Sequence, residues 1–104
     1  MYKVTDNNIF ITRGDSAEFT LSITGYTPAS GDVLTFTVKK NCNDAQALIQ
    51  KTIDTSDMKI AITHDDTAGL EFGDYWYDVQ LKTADSYDTV IIPHGFTIGA
   101  EVTW

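Results

Sequence analysis

Apolar residues recur at every second position in three stretches of this chain. From Ala17 to Thr24 they are Phe19, Leu21 and Ile23, with Glu18, Thr20, Ser22 and Thr24 between them. From Val33 to Lys39 they are Leu34, Phe36 and Val38, against Thr35, Thr37 and Lys39. From Asp74 to Lys82 they are Tyr75, Tyr77, Val79 and Leu81, against Trp76, Asp78, Gln80 and Lys82. A period of two belongs to strands that bury one face. One apolar and one polar face per strand predicts antiparallel sheets with a wet side. Weaker candidates fill the intervals: Asn8 to Thr12, Leu48 to Ile53, Met58 to Thr63, Thr89 to Ile92 and Gly95 to Thr103. The segment Asp44 to Ile53 also fits a short helix through Ala45, Leu48, Ile49 and Ile53.

The expected fold is therefore all-β: an immunoglobulin-like antiparallel β-sandwich of seven to eight strands, one domain over residues 1–104. Punctuation supports it. The dipeptide Gly-Asp stands at 14–15, 31–32 and 73–74, each time just before one of the three best strands. Glycine opens turn conformations closed to other residues, and aspartate hydrogen-bonds nearby amides. Sandwiches of this type place a tyrosine at the start of a late strand, its hydroxyl tied to backbone just upstream. Tyr75 occupies that position, and Tyr77 falls where an antibody domain has its second cysteine. The run from Asp65 to Leu70 is expected to form one helical turn pinned by such a hydroxyl.

Charge and size narrow the class. Fifteen acidic side chains against seven basic ones leave a net charge of −8 in a chain of 104 residues. Such a balance argues against nucleic-acid and anionic-membrane partners, since both require positive charge. The single cysteine, Cys42, excludes an intrachain disulfide. No apolar run approaches the roughly 18 residues of a membrane span. The start, Met1 to Asn8, lacks the plan of a signal peptide. Synthesis and assembly in a reducing cytoplasm are expected.

Candidate chemistry is sparse. Arg13-Gly14-Asp15 spells an adhesion tripeptide, but it lies at a turn between strands, where Gly-Asp already has a structural use. His64 with Asp65 and Asp66 suggests a metal site or an oriented base. The second histidine, His94, is distant in sequence, and metal sites favour tight local pairs. Ser16, Ser22, Ser30, Ser56 and Ser86 have neither a Gly-x-Ser-x-Gly elbow nor an adjacent histidine. No catalytic residue, cofactor or metal is expected. Trp76 is different. Alternation puts it on the wet face with Asp78, Gln80 and Lys82, and an exposed strand tryptophan marks a partner surface. The expected partner-binding residues are Trp76, Lys82 and Trp104, the last able to cover Trp76 or to pack on a neighbour. A Trp-plus-Tyr platform also suits a sugar ring, which keeps a small carbohydrate-binding module for cell-wall attachment as the alternative.

The order of motifs resembles a family. Ile11-Thr12-Arg13-Gly14-Asp15 is followed by Phe19-Thr20-Leu21, and Gly31-Asp32 by Leu34-Thr35-Phe36-Thr37-Val38-Lys39-Lys40. Ile49-Gln50-Lys51-Thr52-Ile53, Asp66-Thr67 and Gly73-Asp74-Tyr75-Trp76-Tyr77-Asp78-Val79 come next, then Phe96-Thr97-Ile98 and Glu101-Val102-Thr103. This series resembles small proteins from the structural-gene clusters of phages and prophages of Gram-positive bacteria. The resemblance implies an immunoglobulin-like, non-enzymatic virion component: a tail, baseplate or fibre accessory, assembled in the host cytoplasm. It would act by docking to other virion proteins or to itself. The family pattern supplies no catalytic residue.

Overall fold

The computed structural model of the chain describes residues 2–23 and 27–100. Eight strands and one short helix follow in order: β1 (Tyr2–Thr5), β2 (Asn8–Thr12), β3 (Ala17–Thr20), β4 (Val33–Lys39), β5 (Ile49–Ile53), β6 (Lys59–Ile62), α1 (His64–Ala68), β7 (Gly73–Lys82) and β8 (Tyr87–Gly99). They form two sheets. The larger has the order β1-β2-β8-β7-β4-β5, and the smaller pairs β3 with β6. Inner faces of both sheets share one core. It contains Phe36, Val79, Phe96, Ile11 and Leu34 from the large sheet, and Phe19, Ile60 and Ile62 from the small one. Burying such side chains contributes about 1.5–3 kcal/mol each, which is why alternation decides which face of each strand turns inward.

The inward sets of β4 and β7 are those the alternation predicts, and Leu34, Phe36, Val38, Tyr75, Tyr77, Val79 and Leu81 are all buried. The strands β3, β6, β4, β7 and β8 stand where an immunoglobulin-type sandwich has its B, E, C, F and G strands. Phe36 on β4 is fully buried in the core, with its ring 5.3 Å from Tyr77 and 6.2 Å from Phe96. Gly14, Gly31 and Gly73 all adopt positive φ, at 82°, 94° and 137°. Turn geometry therefore explains the recurring Gly-Asp dipeptide.

Three features depart from the sequence reading. First, the sandwich is not wholly antiparallel: β2 runs parallel to β8, with Ile9 opposite Phe96 and Ile11 opposite Ile98. Second, β1 is a strand although none of its residues is buried. Its antiparallel pairing to β2 is set by a two-residue turn at Asp6 and Asn7, whose φ values of 49° and 66° fit a type I′ hairpin. Third, the candidate strands on either side of Pro93 are one strand. β8 carries an extra residue relative to β7 between Tyr77 and Val79, and another between Val79 and Gln80. Pro93 sits in the first of these bulges, where a missing N–H costs no ladder bond. The ambiguous segment Asp44 to Ile53 follows the strand reading: Ile49–Ile53 is strand β5, and the residues before it are loop. The helical alternative fails because Ile49 and Ile53 are buried by pairing with Val38 and Leu34 of β4.

The helical turn expected upstream of Tyr75 is α1, and the Tyr75 hydroxyl donates to the Glu71 carbonyl at 2.7 Å. At its start, the Thr63 N–H donates to the Asp66 carboxylate at 2.7 Å. Lys51 of β5 reaches the same carboxylate at 2.8 Å. Burial alone would raise the Asp66 pKa, but the Lys51 ammonium and the Thr63 amide outweigh it and hold the carboxyl below its ordinary value.

Candidate binding surfaces

The outer face of β7, β4 and β5 is built in cross-strand rows. Trp76 stands opposite Lys39, Asp78 opposite Thr37 and Gln80 opposite Thr35. On the next strand Thr37 faces Gln50 and Thr35 faces Thr52. Successive rows lie about 6.7 Å apart and neighbouring strands about 4.8 Å apart. The loop after β4 contributes Cys42 and residues 45–47 as one wall, and Pro93 of β8 stands on the other side. The result is an open trough of about 780 Å³ with a floor of hydroxyls, amides and one carboxylate.

Within it the polar groups are partly engaged with each other. Gln50 Nε2 donates to Thr37 Oγ1 at 3.2 Å. Partial burial raises the Asp78 pKa, and the nearby Lys39 ammonium works against that rise. Trp76 keeps 46% of its surface exposed at the end of the trough. Alternation thus places this side chain correctly: Tyr75 and Tyr77, its neighbours in sequence, are each only 4% exposed.

The other two expected partner residues are not brought to Trp76. Lys82 shares its face of β7 but lies six residues along the strand, a separation of roughly 20 Å. Its ammonium is 5.5 Å from the Tyr87 ring. Trp104 lies outside the described residues.

A second surface was not singled out in the sequence. On the side away from β7, the described pairing of β8 with β2 covers only Phe96 to Gly99. Among the described residues, no strand pairs with Tyr87 to His94 along that edge. Tyr87 and Ile92, at 65% and 64%, are the most exposed of the described large hydrophobic residues. Along this edge runs a groove of about 570 Å³ between β8 and the chain leaving β3, lined by Leu21, Ile23, Val90 and Ile91 together with the polar Asn7, Thr20 and Ser22. The sequence signal was present in the apolar run Val90-Ile91-Ile92, but Pro93 made it read as a strand end.

The remaining candidates resolve into structure. The turn at Arg13-Gly14-Asp15 is fastened to α1 from both sides of Gly14. Its N–H donates to the buried Thr67 hydroxyl at 2.8 Å, and its carbonyl accepts from His64 Nδ1 at 2.6 Å. Arg13 lies over the Phe72 ring, 4.2 Å from its centre, and reaches the Leu70 carbonyl. His94 Nδ1 bonds the Ile92 carbonyl, so the two histidines serve different backbone oxygens. Among the described residues, no three His, Cys, Asp or Glu side chains converge as metal ligands. Cys42 is an exposed thiol. No helix is long and apolar enough to cross a membrane among the described residues.

Among the described residues these features define an all-β sandwich with a polar trough on one face and, along part of β8, a strand edge that no other strand pairs. No family model, curated protein or solved structure matches the chain.

Proposed function

We infer that this protein is a non-enzymatic structural module of a phage or prophage virion that docks to another virion protein. The observation that carries the reading is the β8 edge: among the described residues no strand pairs with Tyr87 to Ile92 on the side away from β7, two large apolar side chains stand in solvent, and a groove of mixed apolar and polar lining runs alongside. Unpaired edges are ready templates for strand addition. Exposed aromatic and aliphatic groups supply the anchors. The motif order supports the virion class, and the net charge of −8 suits a part that must not adhere to DNA during packaging.

The test is co-expression with the products of the flanking genes, followed by co-purification through a tag on this chain. A stoichiometric complex is expected. It should be lost in Ile92→Asp and Tyr87→Asp, with circular dichroism unchanged. Failure to bind any of those products, together with absence of the chain from purified particles, would overturn the reading.

A further inference from the structure

We propose that the trough on the outer face of β4, β5 and β7 is a binding site for a neutral glycan, with a pyranose ring stacked on Trp76 and its hydroxyls held by Asp78, Gln80 and Gln50. The trough meets the β8 edge only at Pro93, and its binding groups lie on β4, β5 and β7, so either surface can fail without the other.

The argument begins with the lining. A trough of this volume falls within the ordinary range for small-molecule sites, but such sites are mostly apolar. Here the floor carries hydroxyls, carboxamides and a carboxylate in regular rows, with a single exposed indole at one end. An apolar ligand would leave those groups without partners, at the cost of their desolvation. A polyhydroxylated ring matches the inventory. Each sugar hydroxyl both donates and accepts, as Thr and Gln do, while the C–H face of the ring lies against an aromatic plane.

Asp78 is the acceptor expected to contribute most. Hydrogen bonds to a charged group are roughly twice as strong as neutral ones. The partial burial that raises its pKa shows that some of its hydration is already lost in the free protein, so less remains to be removed when a ligand arrives.

Charge selects the kind of glycan. Asp78 stands in the middle row, and the whole chain carries −8. A polymer of phosphates or uronic acids would be repelled at long range and at contact. Lys39, opposite Trp76, offsets only part of the Asp78 charge. The ligand is therefore an uncharged saccharide, such as one built of hexoses or N-acetylhexosamines.

The experiment is calorimetric titration of the full chain with neutral gluco-, galacto- and chito-oligosaccharides, with an acidic oligosaccharide as comparison. At least one neutral series is expected to bind tighter than about 1 mM. Trp76→Ala should weaken that binding at least about tenfold and Trp76→Phe much less, because a stacking plane remains. Asp78→Asn should weaken it by about tenfold with the fold intact. Tyr87→Asp, at the far end of β8 from Pro93, should leave it unchanged, which separates this site from the docking edge. Three results would overturn the proposal: no neutral oligosaccharide binding, preference for the acidic one, or binding indifferent to Trp76→Ala. Loss of the co-purified virion protein in Trp76→Ala, with no saccharide bound by the wild type, would reassign the trough to a protein partner and equally overturn it.

Discussion

Replacing Thr67 by valine removes one hydroxyl from the interior and changes little else. Thr67 has no exposed surface, and its oxygen accepts the Gly14 N–H at 2.8 Å. Valine keeps the branched shape and has nearly the same helix propensity. What is lost is the acceptor for a half-buried amide that belongs to the turn between β2 and β3. Leaving a buried donor unpaired costs about 1–3 kcal/mol. Gly14 is only partly shielded, so about 2 kcal/mol is expected, which lowers Tm by roughly 10 °C in a domain of this size. Urea unfolding followed by circular dichroism should show the midpoint falling with the slope unchanged. Amide hydrogen exchange at Gly14 supplies the local readout: it should accelerate in Thr67→Val. In Thr67→Ser it should stay slow, although losing the buried methyl costs about 1 kcal/mol. A valine variant within about 0.5 kcal/mol of wild type, with Gly14 still protected, would refute the idea that α1 fastens this turn.

Tyr75→Phe should destabilise by only about 1 kcal/mol, because the Glu71 carbonyl it releases belongs to an exposed residue and water can take the hydroxyl's place; denaturant midpoints check this. Gly31→Ala should cost about 1–2 kcal/mol through backbone strain alone, since φ is +94° and an added methyl meets nothing within 4 Å; a neutral result would mean the turn relaxes. Burial pushes the Tyr77 hydroxyl up to about 12. Its folded value exceeds its unfolded one, so the native state holds the proton longer. Stability is complete below about pH 10 and is lost as pH rises towards 12; absorbance at 295 nm should show one of the five tyrosines ionising only as the chain unfolds.

The fold was legible wherever one face of a strand is buried. In β4 and β7 the register follows from which side chains must leave water, and a shift of one residue would expose Phe36, Val38 and Tyr77 together. The tyrosine hydroxyl and its upstream helical turn were legible for a similar reason, because Tyr75 opens β7 next to a run that favours a turn. Pairing that buries no side chain was harder to read. β1 buries no side chain, so only Asp6 and Asn7, residues tolerant of positive φ, hint at it. The parallel match of β2 to β8 leaves no local trace, since the partners are far apart in sequence. Pro93 misled because its missing N–H matters only where a ladder bond is due, and the bulge opposite Asp78 removes that need. For the trough, alternation placed Trp76 and Asp78 on one face. It could not say that Thr35, Thr37 and Gln50 of other strands would line up beside them, because that depends on inter-strand register. That Lys82 lies at the opposite end of the same face does follow from alternation, since six residues of strand separate it from Trp76.

The joining of β2 to β8 bears on how the molecule is made. Ile9 and Phe96 must meet across roughly ninety intervening residues, and closing that loop costs about 2 kcal/mol more entropy than closing one of ten residues. The hairpins β1–β2 and β7–β8 can zip locally, but the seam between them waits until residue 99 has emerged from the ribosome. Until then Ile11, dry in the finished sandwich, faces water. A nascent chain stalled short of that point should be sticky and readily trapped by chaperones, whereas one released only slightly beyond it should snap shut as a unit.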